Sequence, residues 1–189
     1  MIPLLLSSIL GLAIVIERAT SLRRNKVMIP EIMSVVDEFN SHEDIKLATS
    51  MCEKNRGAFA NIILTGLQNT DLTPEEVREL LSDQGRQEVR ALERGLPTLE
   101  TIAGIAPLLG LLGTVLGMIK VFTVISLQGT GQASLLAGGI SEALITTATG
   151  LVIGILALIM YNYFSNRAEN YILDIEKYTT KLLQKIRRL

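Results

Sequence analysis

Two stretches without a single charge limit what this chain can fold into. Thr101 to Ile119 is an uncharged run of 19 residues, and Ala143 to Asn166 is another of 24. A helix needs about 20 apolar residues to cross the hydrocarbon of a bilayer. Val121 to Ile125 lengthen the first run beyond Lys120, so both are expected to span. Composition points the same way. Hydrophobic residues make up 48% of the chain, yet aromatics are only 4% and Trp is absent. Gly, Ala, Leu, Ile and Thr fill the apolar stretches, which suits membrane helices that pack closely.

A third apolar run, Met1 to Ile16, is shorter. It lacks the basic start and the cleavage site of a signal peptide. It ends in Glu17-Arg18, followed by Arg23, Arg24 and Lys26. That is the basic flank of a span stopped on its cytoplasmic side, so a membrane helix is expected from almost the first residue, with a few residues missing upstream.

The same rule orients the rest. The connection SLQGTGQASLLA (126–137) carries no charge and suits the outside, whereas the tail carries Arg167, Lys177, Lys181, Lys185, Arg187 and Arg188 and suits the inside. The expected fold class is an all-α integral membrane protein with three transmembrane helices, two of them extended into the cytoplasm as long helices. The expected divisions are a first span at 1–17, a cytoplasmic helical segment at 18–98, a second span at 99–125, a periplasmic loop at 126–137, a third span at 138–165 and a cytoplasmic helical tail at 166–189. The amino terminus would then lie outside and the carboxyl terminus in the cytoplasm.

Within 18–98, Ile32, Val35, Val36 and Phe39 recur at helical spacing after Pro30. Short helices are also expected at Glu43 to Lys54 and Gly57 to Gln68. DLTPEEVRELL opens a further helix. Thr73 is a candidate N-cap, Pro74 suits the first helical position, and Glu76 completes a capping box. No strong stop follows, although Gly95 and Pro97 suit a bend, so one long helix is expected from Pro74 into the second span. The tail keeps Ile172, Ile175, Leu182, Leu183 and Ile186 at helical spacing, which extends the third span inward.

Several function classes are excluded. A net charge of −1 offers no basic excess for nucleic acid. Cys52 is alone, so no internal disulfide is available, and no zinc spacing occurs. His42 is also alone and reads as a solvated helix-start residue. There is no Ser-His-Asp set, phosphate loop or metal-ligand cluster. An ordinary enzyme is not expected, and no cofactor or metal is called for.

With residues placed about 100° apart around the second span, Ala103, Ala106, Pro107, Gly110, Gly113, Thr114 and Gly117 share one arc. Small residues in such a stripe admit another helix backbone. Thr114 suits either a pore wall or a packing position bonded back to its own helix. Leu108, Leu112, Val115 and Ile119 face away and suit lipid or bulky packing. Pro107 removes a backbone donor in mid-span. Lys120 reads as snorkelling to the interface.

On the third span, Glu142, Thr146, Thr149 and Ile153 form a polar face suited to a bundle interior or a water-filled path. Ala143, Thr147, Gly150 and Gly154 form a packing face beside it, with a GxxxG spacing. Glu142 is either a solvated acid at the outer interface or a deeper group that needs pairing, hydration or a proton.

PLLGLLGTVLGMIKVF (107–122) and GGISEALITTATGLVIGILALIMYNYF (138–164) resemble the ExbB/TolQ/MotA proton-channel family, most strongly its ExbB-like branch. ILGLAIVIER (9–18) is similar to that family's opening helix. The resemblance covers almost the whole chain. It implies a homopentamer in the lipid bilayer, conducting protons around single-span helices of an ExbD/TolR-like partner. An aspartate on the partner would carry the proton, and a TonB-like or TolA-like protein would receive the work. It maps the family's polar pore positions onto Thr114, Glu142 and Thr147. Pro107, Gly110, Gly113, Gly117, Gly150 and Gly154 support helix packing. The chain departs from the family in a shorter amino terminus, in Ile155-Leu156 where relatives have a more proline-like end to the span, and in Lys120. A TolQ-like role in outer-membrane constriction, a non-conducting membrane scaffold and a secondary transporter are the competing readings.

Overall fold

The structure, a computed structural model, describes residues 1–38, 42–55, 57–129 and 133–186. Phe39, Arg187 and Arg188 lie outside them. Every element among the described residues is a helix: α1 (Ile2–Ser21), α2 (Arg24–Val27), α3 (Pro30–Glu38), α4 (His42–Lys54), α5 (Ala58–Gln68), α6 (Pro74–Leu92), α7 (Leu96–Gln128) and α8 (Ala133–Ile186). Three of them, α1, α7 and α8, are long and apolar enough to cross a membrane. The protein is an all-α integral membrane protein.

The expected unbroken helix from Pro74 into the second span is not formed. α6 stops at Leu92, and Gly95 sits at φ +78, a left-handed conformation cheap only for glycine. Pro97 follows within the first turn of α7, where a missing N–H costs nothing. In a continuous helix Pro97 would leave Glu93 O without its donor and clash with it. The signals that suggested a bend therefore end one helix and start another. The break orphans the carbonyls of Ala91 and Leu92, whose helical donors would have been four residues ahead. Arg18 replaces them. Its side chain is only 2% exposed, and Nη1 donates to Ala91 O at 3.2 Å and Leu92 O at 3.0 Å. A cation at a helix carboxyl end also complements the helix dipole.

The capping box forms as its residues require. Thr73 Oγ1 accepts from Glu76 N at 3.4 Å, and Glu76 Oε2 accepts from Thr73 N at 2.9 Å. α7 runs on through Ser126, Leu127 and Gln128 and is closed by Gly129 at φ +72, whose N–H reaches Ile125 O. α8 begins at Ala133 and continues unbroken for 54 residues.

The chain divides into two compact units, Met1–Glu17 with Gly95–Tyr163 and Arg18–Arg94 with Phe164–Leu189. The first contains most of α1, all of α7 and the first part of α8. Its helices meet at Leu99, Ile102 and Ala157, with Ile14, Ile153 and Met160 packed around them. Its exterior is apolar: Leu108, Leu112, Val115, Ile119, Leu144 and Val152 are all exposed. In water such a surface would be unstable, whereas a bilayer is its natural solvent.

The second unit is a conventional helical core. α5, its most apolar helix, packs against α4 and α6. It buries Phe59, Ile62, Ile63 and Leu67, each contributing roughly 1.5–3 kcal/mol by removal from water. Gly66 lets the last part of α8 come close, since a Cβ there would lie 2.8 Å from Leu182 Cδ2. Phe59 meets the Tyr178 ring edge-on at 5.5 Å. Tyr171 Oη donates to Leu22 O at 3.2 Å, and Lys181 Nζ pairs with Asp37 at 2.9 Å.

Candidate functional site

The site is the seam where α7 lies against α8 inside the first unit. Its residues are small because the two backbones touch. A Cβ on Gly150 would sit 2.6 Å from Ala106 O and 2.9 Å from Gly110 Cα. One on Gly110 would sit 3.1 Å from Thr146 O and from Thr147 Cα. Gly150 admits only glycine at this separation, whereas a side chain at Gly110 would need α8 to give by a few tenths of an ångström. Gly117 faces Ala143, where an added Cβ would approach to 2.8 Å, and Gly113 is covered by the Thr146 side chain.

Pro107 has its own counterpart. Lacking an N–H, it leaves Ala103 O without its helical donor. Gly154 faces that irregularity: a Cβ on it would meet Pro107 Cγ at 2.6 Å and Ala103 O at 3.1 Å. The absence of a side chain at residue 154 makes room for the proline ring.

Two of the three expected pore residues come together on the seam. Thr147 Oγ1 donates across the helices to Gly110 O at 3.0 Å and lies 3.5 Å from Thr114 Oγ1. Thr114 Oγ1 donates to Leu111 O at 2.6 Å. Each hydroxyl has one proton, and both are engaged by helix carbonyls. The two oxygens are left with lone pairs side by side, an arrangement that accepts from a water or an acid. Thr114 thus bonds back to its own helix while its oxygen faces Thr147.

Glu142 is not part of this pair. It is exposed, and five residues separate it from Thr147, about 140° around α8. The polar face drawn through Glu142, Thr146, Thr149 and Ile153 divides in the structure. Thr146 is 8% exposed and packs on Gly113, while its hydroxyl bonds back to Glu142 O at 2.8 Å. Ile153 joins the apolar contact with α1 and α7. Thr146 is thus a seam residue. Gly139 also lies on the seam, its added Cβ 2.6 Å from Val121 Cγ2. The sequence held that signal, because Gly139 stands four residues before Ala143 on the same face. Lys120 is exposed. Among the described residues, no cluster of three or more His, Cys, Asp or Glu is placed to hold a metal.

A family model described as the MotA/TolQ/ExbB proton channel family matches residues 54–177. The chain belongs to that family. It is similar to the biopolymer transport protein ExbB-like 1 of Synechocystis sp., with 39% identity across 85% of this chain and 65% of that protein. The chain therefore spans just under two thirds of that relative's length. ExbB-like 3 of the same organism is 36% identical across 86% of this chain and 79% of its own. The Tol-Pal system protein TolQ of Haemophilus influenzae is 32% identical across 93% of this chain and 83% of its own. The matched segment contains the whole α7–α8 seam. The matched family is described as one of proton channels, a transport function rather than that of a classical enzyme.

Proposed function

We propose that this protein is an ExbB-like subunit of a proton-motive-force-driven motor in the bacterial inner membrane. Five copies form a ring around the single-span helices of an ExbD/TolR-like partner. The Thr114–Thr147 pair carries this reading: two hydroxyl oxygens with unspent lone pairs, held between membrane helices of a proton-channel family member. Arg23, Arg24 and Lys26 after the first span support a periplasmic amino terminus and a cytoplasmic carboxyl terminus.

In this mechanism Thr114 and Thr147 keep water on the path. Glu142 is exposed on the single chain. A carboxylate facing lipid costs a few kcal/mol, so a neighbouring copy or the partner helix would cover it, and its charge would set the field along the path. Each proton crossing 100 mV supplies about 2.3 kcal/mol. That energy would turn the ring against the partner, whose outer part would pass the work to a TonB-like protein and so energise outer-membrane transport. The TolQ relative, matching 93% of this chain, favours a second reading in which a TolA-like protein receives the work.

The test is Glu142→Gln in cells that rely on this chain. Loss of growth on an outer-membrane uptake substrate is expected, with the ring intact on extraction. Growth equal to wild type would remove Glu142 from the mechanism. Normal uptake with detergent-sensitive envelopes in a deletion strain would select the TolQ-like reading.

A further inference from the structure

A second feature lies in the other unit. α6 and the last part of α8 enclose a groove of about 680 Å³. Its floor is apolar, built from Ile62, Leu81, Ile175 and Leu183. One rim carries Arg78, Arg86 and Arg90, all exposed. Of the two carboxylates that line it, Glu88 is already engaged by Asn61 Nδ2 at 2.7 Å and Gln84 Nε2 at 3.0 Å. Glu88 keeps its charge in those bonds, so with Glu176 two carboxylates oppose three guanidinium groups and the lining stays positive by one. Arg86 approaches Asp83 at 3.9 Å, but both side chains are more than half exposed, at 75% and 66%. A pair this long and wet gives way readily to a better partner.

Gly85 lines the same groove. It sits in the middle of the 19-residue α6, and a Cβ there would meet nothing within 4 Å. The fold itself does not require glycine at that position, and glycine weakens a helix interior. A body lying in the groove would favour a small residue there over a bulky one.

We propose that this groove binds an acidic amphipathic helix of a partner polypeptide. The apolar stripe of the incoming helix would cover the floor and pass over Gly85, and its carboxylates would take up the arginines. The spacing favours a helix over a lipid. Arg78 to Arg90 extends over about 18 Å of α6, a line of charge that suits successive carboxylates better than one phosphate headgroup.

The experiment uses the full chain in mild detergent and a fluorescein-labelled helical peptide of about 14 residues, long enough to follow the rim. Its leucines recur at third and fourth positions, and the remaining positions are glutamate. Anisotropy should show it binding at least about tenfold tighter than the same peptide with lysine for glutamate, and more weakly as salt rises. Gly85→Leu should weaken binding by filling the groove, whereas Gly85→Ala should fold equally well and retain it. The double change Arg86→Glu and Arg90→Glu should invert the preference between the two peptides. Equal binding of both peptides, or unchanged binding by Gly85→Leu, would overturn the proposal. Displacement of the peptide by phosphatidylglycerol mixed micelles at similar headgroup concentration would overturn it in favour of a lipid site.

Discussion

At the residue scale, isolated side chains behave as their surroundings dictate, and two make clear predictions. Cys52 is 2% exposed, and burial first, then the nearby Glu53 charge, pushes its thiol up to about 11 from 9.0. A thiol held that high carries about a hundredfold less thiolate near pH 8 than an open one. Maleimide labelling of the folded protein should be slower by at least that factor than labelling in denaturant, and equal rates would show the thiol to be open. Glu76 makes the opposite case. Its hydrogen bonds to Thr73, side chain first and backbone second, hold its carboxyl below the usual range. A lowered folded value means that the contribution is complete above the unfolded pKa and is lost as pH falls through the folded one. The stability gap between wild type and Thr73→Ala should therefore be largest at neutral pH and narrow in acid to the part that Thr73 Oγ1 contributes by accepting from Glu76 N. A constant difference down to the lowest pH would leave the carboxylate without a part in the cap.

At the scale of elements, packing decides more than propensity. α7 and α8 contact along a line of glycines, and their polar groups follow from that closeness: Thr147 reaches Gly110 O only because Gly110 and Gly150 have no side chains between the helices. Gly150→Leu should force the helices apart and cost about 1–3 kcal/mol or more of stability in detergent. Leu108→Ala, at a position 63% exposed, should cost little in the same assay. Similar losses at the two positions would mean that the seam is not close-packed. The stripe of small residues was legible in the sequence because three- and four-residue spacing maps directly onto one helix face. The division of the Glu142 face was not. Periodicity assigns residues to a face but does not say how wide the contact with the neighbouring helix is, and Thr146 falls just inside that width.

At the scale of the whole molecule, one unit has an apolar exterior and the other a buried apolar core of the ordinary kind. A single chain leaves Glu142 exposed on a membrane helix, a costly state within the hydrocarbon unless another polypeptide covers it. Assembly is the expected remedy. Native mass spectrometry from mild detergent should show five copies, with a small single-span protein retained. A monomer or dimer that persists across detergents would leave no central pore and would favour a non-conducting scaffold.

Membership of an all-α membrane class, the three spans, the capping box at Thr73 and the small faces of α7 and α8 were determined by sequence alone. Each follows from local rules: hydrocarbon thickness, helical period and the needs of a helix end. Tertiary structure decided the rest. Gly95 and Pro97 are compatible with either a bend or a break, and the break can exist because Arg18, 73 residues before Ala91, supplies the donors that it orphans. Thr114 and Thr147 are 33 residues apart and become a pair only when α7 and α8 close. Such contacts join residues distant in the chain, and no local period encodes them.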